Sequence, residues 1–260
     1  MLAGEASWDD PLEQHKEFLA NFVRTQRVQT NEVRRAWLFL PLLLRVAQRT
    51  GADFFDLIEL GSSAGLLLGW DRYRYVYEQG EWGRPDAALT LSGEERRPVP
   101  RELLELVPKT RRKIGVDLAP LDVRSEESLR LLKAFVWAGH DDRLERLDQA
   151  FAAGRADPPE LVQGNYVELL PELLADRDPE ALTIVLASAT LAYLSDEELA
   201  RVRAALDDAG RFGGLALVST GKGRTSEHGH WGLRIVYYPG AEREFAGEAD
   251  YHGAWLDWWL

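Results

Sequence analysis

From residue 53 onward, short apolar segments typical of strands alternate with longer segments whose apolar residues recur at helical spacing. The strand-like segments are Phe54–Leu60, Lys113–Leu118, Leu161–Asn165, Leu182–Ala187 and Leu215–Val218. Helices are predicted at Ser125–Trp137, Asp141–Ala153, Val167–Leu174 and Ser195–Ala209, the last with the capping-box pair Ser195 and Glu198. Strands that alternate with helices form βαβ units. The pattern therefore predicts an α/β fold with a mostly parallel sheet and helices on both faces.

Two helices are predicted ahead of the first strand. Ser7 or Asp9 can cap the first, and the second runs from about Asn31 to Thr50, where Gly51 ends it. Pro41 lies inside the second helix and should bend it. We expect residues 1–52 to form an N-terminal helical cap on a core of residues 53–260.

Residues 72–93 interrupt the alternation. Tyrosines alternate with charged residues from Arg72 to Tyr77, Gly80 and Gly83 supply turns, and Ala88 to Leu91 can return as a partner strand. We interpret this stretch as a β-hairpin insertion. The charged, proline-containing segment 94–100 that follows is predicted to be a surface loop. Residues 233–238 alternate like a half-exposed antiparallel strand near the C-terminus, which suits a sheet edge.

Composition restricts the function classes. The 260 residues carry 31 Lys plus Arg against 43 Asp plus Glu, a formal net charge of −12. Phosphate neutralisation needs a basic face, so nucleic acid is a disfavoured partner and a small molecule is favoured. There is no cysteine, which excludes thiol nucleophiles, disulfides and thiolate metal sites.

Two terminal features bear on location and assembly. The first ten residues are acidic and lack the apolar core of a signal peptide, and the longest apolar run, Ala36–Leu44, is too short to cross a bilayer. We expect no membrane association and a cytoplasmic location. The apolar C-terminus, Trp255 to Leu260, either docks on its own core or makes a homodimer contact.

The strongest chemical signal follows the first strand of the core. The segment has the spacing Glu59-x-Gly61-x-x-x-Gly65 and forms a glycine-bearing turn between a strand and an apolar run. Such turns let backbone amides approach a ligand, and open α/β sheets bind ligands at the carboxyl ends of their strands. The dinucleotide fingerprint requires glycine where this chain has Ser63. A tight turn without a ligand is the alternative.

This spacing resembles the first motif of class I S-adenosylmethionine-dependent methyltransferases, which implies a Rossmann-like sheet and S-adenosylmethionine as the cofactor. In that family the turn wraps the methionine moiety, and an acidic residue after the second strand meets the ribose, a place that Asp117 matches. Asn165 and Tyr166 match the adenine position. Ser188, after the fourth strand, would line the reaction chamber. The resemblance thus implies a set of cofactor-binding residues: Glu59, Gly61, Ser62, Ser63, Gly65, Asp117, Asn165, Tyr166 and Ser188.

A closer likeness covers two longer phrases. Gly115 to Val123, together with Asp71 to Tyr73, resembles an uncharacterised bacterial family that shares this fold and brings no known reaction with it. Asp117 lies about 50 positions after Gly65, against about 20 from fingerprint to acidic residue in a dinucleotide fold. The hairpin insertion accounts for most of that excess.

A residue that activates the acceptor is harder to identify. The candidates for a general base are Asp122, Tyr193, His140 and His228, with His230 beside the last. Asp122 can instead cap the helix that begins near Ser125, and His140 can simply open the next helix. No metal site is predicted, because the two histidines of the His-x-His segment lack a third ligand.

Three functions follow from these residues. The first is an S-adenosylmethionine-dependent methyltransferase that acts on a small molecule. The second is a non-catalytic binding protein on the same fold, favoured by the lack of a clear general base. The third is a dinucleotide-dependent oxidoreductase, which Ser63 disfavours.

Overall fold

The computed structural model describes residues 9–25, 29, 31–178, 180–223 and 230–260. The chain divides into two compact units, Met1–Thr30 and Asn31–Leu260. The described part of the first unit contains helices α1 (Asp9–Gln14) and α2 (Lys16–Thr25). On α2 the rings of Phe18 and Phe22 lie 6.0 Å apart. No helix among the described residues is long and apolar enough to cross a membrane.

The second unit is an α/β structure. Its helices are α3 (Arg35–Thr50), α4 (Arg101–Leu104), α5 (Glu126–Ala134), α6 (Asp141–Ala156), α7 (Tyr166–Ala175) and α8 (Asp196–Ala209). Three short 3-10 helices span Leu67–Arg72, Thr190–Tyr193 and Gly210–Phe212. The first six strands are β1 (Phe54–Leu60), β2 (Arg74–Tyr77), β3 (Gly80–Gly83), β4 (Thr90–Ser92), β5 (Glu94–Arg97) and β6 (Lys109–Asp117). The others are β7 (Glu160–Gln163), β8 (Leu182–Ala187), β9 (Leu215–Lys222), β10 (His230–Tyr238), β11 (Glu242–Asp250) and β12 (Trp255–Trp258).

In the described part of the chain, nine strands form one sheet in the order β5-β12-β11-β10-β9-β8-β1-β6-β7. The strands from β9 to β7 are parallel, as is the pair of β12 and β5. The strands from β9 to β12 form an antiparallel meander. The predicted α/β fold, with a large, mostly parallel sheet flanked by helices, is confirmed.

The two faces of this sheet bury different helices, because successive side chains of a strand point to opposite sides. Phe55 and Leu57 of β1 belong to the apolar cluster that contains α3 and α6. Ile58 and Leu60 belong to the cluster that contains α7 and α8. The parallel strands are therefore covered on both sides, which explains their nearly continuous apolar sequences.

Helix α3, which was predicted as part of the N-terminal cap, lies within the main apolar cluster. It begins at Arg35 and ends at Gly51, whose φ of 68° is the left-handed conformation that glycine adopts readily. Trp37 anchors it: the indole N–H donates to the Val76 carbonyl at 3.0 Å, and the ring stacks on Tyr77 at 5.2 Å. Helix α3 thus joins the sheet to the insertion.

The insertion at 72–93 forms a small sheet of its own. β2 and β3 pair as an antiparallel hairpin, and β4, in the segment expected to complete that hairpin, pairs with β2 in parallel instead. The hydroxyls of Tyr73, Tyr75 and Tyr77 are buried, and each donates to a backbone carbonyl outside the insertion at 2.6–2.7 Å. The acceptors are the carbonyls of Leu66, Trp70 and Trp37. These tyrosines therefore pack the insertion against the core.

Two expectations about the sheet edge were wrong. Residues 94–97 form the edge strand β5 and not a loop, and residues 233–238 lie inside the sheet. The reason is long-range pairing: the backbone of β12 hydrogen-bonds with β5 on one side and with β11 on the other. Trp258 of β12 is buried, so the C-terminus docks on its own core, one of the two alternatives.

Candidate functional site

The candidate site lies where the order of the parallel strands reverses. From β1 the chain proceeds to β6 and β7 on one side, then crosses to β8 and β9 on the other. The loops that leave the carboxyl ends of β1 and β8 therefore lead to opposite halves of the sheet, and the position between them is the topological switch point, here called the crevice. Open α/β sheets bind their ligands in this crevice.

The glycine turn after β1 has a backbone that few residues can adopt. The φ angles of Gly61, Ser63 and Gly65 are 71°, 53° and 67°. A Cβ atom on Gly61 would lie 2.3 Å from Cγ2 of Thr190, in the loop after β8. Glycine is thus needed at position 61 both for its conformation and because the β8 loop fills the space beside it.

The amides of this turn are hydrogen-bonded within the protein. The Gly61 and Ser62 amides both donate to the Val116 carbonyl, at 2.7 and 3.1 Å. The Ser63 amide donates to Asp117 Oδ2 at 2.8 Å, and the Gly65 amide donates to the Ser62 carbonyl at 2.8 Å. A phosphate bound at such a turn takes its hydrogen bonds from free backbone N–H groups. These four amides are not free to form a pyrophosphate cradle.

Glu59, the penultimate residue of β1, lies fully buried beneath the turn. Burial raises the pKa of its carboxyl well above the ordinary value, and the nearby charge of Asp117 raises it further. The positive charge of Arg35 acts in the opposite direction. Oε2 of Glu59 has no hydrogen-bond partner in the part of the chain that the structure describes. Glu59 is therefore held towards its neutral form, with one carboxyl oxygen unpaired in the described structure.

Three hydroxyls at the same end of the sheet share this property. Oγ of Ser62, Oγ of Ser188 and Oγ1 of Thr190 are buried and have no partner among the described residues. Buried polar atoms are nearly always paired, so unpaired ones gathered at one place indicate a ligand or ordered water. The crevice thus combines satisfied amides with unsatisfied oxygens.

Asp117, the last residue of β6, holds the turn in place. Its Oδ2 accepts the Ser63 amide and its Oδ1 accepts the Ala119 amide at 2.9 Å. The carboxylate is half-buried, and each oxygen keeps a further lone pair for a ligand. Asp117 therefore has a structural role, and its remaining lone pairs leave room for the predicted contact with a ribose.

We expect Asp117→Asn to lower the free energy of unfolding by about 1–2 kcal/mol, because the NH2 group of Asn cannot accept the second of the two backbone N–H groups that Asp117 holds. Urea denaturation measures the loss. Asp122→Asn is the matched control, since its exposed carboxylate also accepts a backbone amide, from Arg124 at 2.9 Å. An exposed pair contributes about 0–1 kcal/mol. Equal losses in the two variants would contradict a special role of Asp117 in the turn.

The two predicted adenine contacts lie at the start of α7. Asn165 caps the helix, since its Oδ1 accepts the Val167 amide at 2.9 Å. The hydroxyl of Tyr166 donates to the Thr190 carbonyl at 3.1 Å, and burial raises its pKa to about 12. Both residues therefore border the crevice, and Tyr166 ties α7 to the loop after β8.

The three candidate bases that the structure describes are scattered. Asp122 is exposed, and its side-chain hydrogen bond with Arg124 lowers the pKa of the carboxyl. His140 is exposed at the start of α6. His228 lies outside the described residues. Tyr193, 85% exposed, lies on the 3-10 helix that follows β8, and of the three described candidates it is the one that the structure brings to the crevice.

Two residues that the sequence analysis did not single out border the crevice. Leu118 follows Asp117 directly and is 53% exposed, an apolar surface at the rim. Arg35, the first residue of α3, lies close enough to Glu59 for its charge to affect that carboxyl. The sequence does carry a sign of the role of Leu118, because it is an apolar residue that directly follows a strand. Arg35 has none, because only the fold brings α3 to this end of the sheet.

The chain belongs to a family described as an uncharacterized protein conserved in bacteria (DUF2332), whose model matches residues 5–258. This agrees with the uncharacterised bacterial family expected from the sequence. The comparison with curated proteins gave no match.

Proposed function

We propose that this member of the family is a methyltransferase with a Rossmann-like fold, which uses S-adenosylmethionine to modify a small molecule. The observation that carries the proposal is the polarity of the crevice. Its turn amides are already satisfied, while the oxygens of Glu59, Ser62, Ser188 and Thr190 have no partner in the described structure. The site therefore offers hydroxyl and carboxyl groups, and no free amide among Gly61, Ser62, Ser63 and Gly65 for a pyrophosphate.

This polarity distinguishes between the two nucleotide cofactors considered. A dinucleotide needs backbone N–H groups for its pyrophosphate. S-adenosylmethionine has no phosphate; it supplies a methyl group on a positively charged sulfonium. The carboxyl of Glu59 favours a cation once it has lost its proton, and the hydroxyls can donate or accept hydrogen bonds. The residues present thus fit S-adenosylmethionine better than they fit a dinucleotide.

The residues divide into two groups on this proposal. Glu59 and Ser62 would face the charged part of the cofactor from the end of β1. Asp117 would accept the ribose hydroxyls through its remaining lone pairs, and Leu118 with Tyr166 would contact the adenine from the rim. The insertion and α3 would keep water from the reacting groups.

We expect calorimetry to detect binding of S-adenosylmethionine that strengthens with pH. A cation beside Glu59 favours its ionised form, so binding should release a proton from that carboxyl. The affinity should rise by up to about tenfold per pH unit while Glu59 is protonated in the free protein. Heats measured in buffers of different ionisation enthalpy count the released protons.

S-adenosylhomocysteine is the matched control ligand, because it lacks the sulfonium charge. Its binding should depend less on pH and release fewer protons. If both ligands bind with the same proton release, Glu59 does not face the sulfonium. If neither binds at any pH, while a nicotinamide dinucleotide does, the methyltransferase proposal is rejected.

A second candidate function is a non-catalytic binding protein on the same fold. It is favoured by the structural use of predicted contact atoms, since Asn165 caps a helix and Asp117 holds two backbone amides. The pairing of Asp122 with Arg124 also leaves it poorly suited as a base. Cofactor binding without methyl transfer to any member of a broad acceptor panel, assayed with labelled methyl groups, would favour this function.

A further inference from the structure

Arg35 is a buried cation whose hydrogen-bonding capacity is largely unused. It is nine-tenths buried at the first position of α3. Its Nε donates to the Tyr251 carbonyl at 3.0 Å, and the guanidinium lies 4.6 Å from the centre of the Trp231 ring. Its two Nη groups make no hydrogen bond to the residues that the structure describes. A guanidinium placed this way presents a fork of donors without an acceptor.

No carboxylate of the described protein hydrogen-bonds to this guanidinium. Glu32, the nearest buried acid in sequence, lies 2.6 Å from Nε of Arg143 and accepts the Arg34 amide at 3.2 Å. Glu59 is held towards its neutral form by burial, which raises its pKa. Burial lowers the pKa of Arg35 to about 10, so the side chain remains positively charged at neutral pH. A buried charge without a hydrogen-bonded counterion is costly unless a ligand supplies one.

The surroundings of Arg35 point into the crevice. Tyr251, whose carbonyl it meets, directly follows β11, and Trp231, on which it lies, is in register with Lys222 at the carboxyl end of β9. Arg35 therefore lies at the same edge of the sheet as the crevice. The charges of Glu32 and Asp250 also act on it, as does Tyr193 after β8. Aromatic surface is exposed at this edge: Tyr251, which packs on Trp231, is 38% exposed, and Tyr193, on the 3-10 helix after β8, is 85% exposed. Flat rings beside a fork of donors suit a flat anion.

We propose that Arg35 binds the carboxylate of the methyl-accepting substrate, so that the acceptor is a small, flat carboxylic acid. This inference rests on the proposed function, because that function makes the bound acid a methyl acceptor. Guanidinium and carboxylate form two parallel hydrogen bonds, which fix orientation as well as charge. Arg35 is then the residue that positions the substrate and selects its class. The cofactor also carries a carboxylate, so the test must separate the two sources.

The probe pair is benzoate and benzamide, which have the same shape and differ in charge. Binding is measured by saturation-transfer difference NMR, with S-adenosylhomocysteine affinity measured in parallel by calorimetry. The variants are Arg35→Gln and Arg35→Lys. Arg34→Gln is the matched control, because its Nε makes the equivalent bond to the next backbone carbonyl, that of His252, at 3.1 Å.

We expect the wild-type protein to bind benzoate at least about tenfold more tightly than benzamide. Arg35→Gln should remove that preference, Arg34→Gln should retain it, and both should keep their affinity for S-adenosylhomocysteine. Arg35→Lys keeps the positive charge but not the paired N–H groups of the guanidinium, so it should lose part of the preference for benzoate. It replaces Arg35→Gln as the test variant if the glutamine variant fails to fold.

Equal binding of benzoate and benzamide to the wild-type protein would overturn the inference, as would an unchanged preference in folded Arg35→Gln. Loss of S-adenosylhomocysteine affinity in Arg35→Gln, with benzoate binding unchanged, would assign Arg35 to the cofactor and overturn it too. If the wild-type protein binds benzoate through Arg35 but binds neither form of the cofactor, the proposed function fails and the anion site stands.

Discussion

Gly61→Ala should lower the free energy of unfolding by about 3 kcal/mol or more, an unusually large effect for the addition of one methyl group. Two costs add. A non-glycine residue in the left-handed conformation costs roughly 1–2 kcal/mol. The new Cβ would lie 2.3 Å from Cγ2 of Thr190, and overpacking of this kind costs about 1–3 kcal/mol. Urea denaturation followed by circular dichroism measures the sum.

Gly51→Ala separates the two costs. Gly51 ends α3 with a φ of 68°, almost the same as the 71° of Gly61, but a Cβ there would meet nothing within 4 Å among the described residues. Its loss should therefore be about 1–2 kcal/mol, the conformational part alone. Thr190→Ser removes the clashing methyl group, so it should restore part of the stability of Gly61→Ala. Equal losses in the two glycine variants would show that the β8 loop does not press on the turn.

This contact matters because it joins the two loops that border the crevice. The turn after β1 and the loop after β8 belong to opposite halves of the sheet. Tyr166 adds a second connection, through its bond to the Thr190 carbonyl. The crevice is therefore a fixed part of the fold, and its unpaired oxygens are held in place before any ligand arrives.

Local signals predicted most of the parallel half of the fold. The capping box at the start of α8 is present, with the Ser195 amide donating to Glu198 Oε2 at 2.9 Å and the Glu198 amide to Ser195 Oγ at 3.3 Å. The apolar segments that became β1 and β8 are buried on both faces, so their sequences are nearly continuous in hydrophobicity. Such features depend on residues that are neighbours in sequence.

Features that depend on distant pairing could not be predicted. The charged sequence of β5 gives no strand signal, and the segment is a strand because β12, some 160 residues later, pairs with it. The same limit applies to the site. Asp117 was expected to serve a ligand, and its bond to the Ser63 amide depends on a contact across 54 positions. Arg35 reaches the crevice only because α3 packs on the sheet.

Glu59→Gln should change the pH dependence of stability in a direction opposite to that of most acids. The pKa of Glu59 is raised in the folded protein by burial and by Asp117, so the folded state keeps its proton after the unfolded chain has lost it. As pH rises above the ordinary pKa of about 4.5, this difference destabilises the wild-type protein. The slope is about 1.4 kcal/mol per pH unit until the folded carboxyl ionises. Glutamine does not titrate, so the variant should gain stability relative to wild type as pH increases.

Glu198→Gln provides a control with the opposite sign. The bonds that Glu198 accepts from Ser195 lower its pKa in the folded state, so the stability it contributes is present above the ordinary pKa and is lost as pH falls. Urea denaturation of both variants between pH 3 and 8 should therefore give trends of opposite sign: Glu59→Gln should become more stable than wild type as pH rises above about 4.5, and the stability deficit of Glu198→Gln should shrink as pH falls below about 4.5. A pH-independent difference for Glu59→Gln would mean that Glu59 is ionised in the folded protein across this range. The neutral oxygen assigned to the crevice would then be a permanent negative charge, and cofactor binding would release no proton.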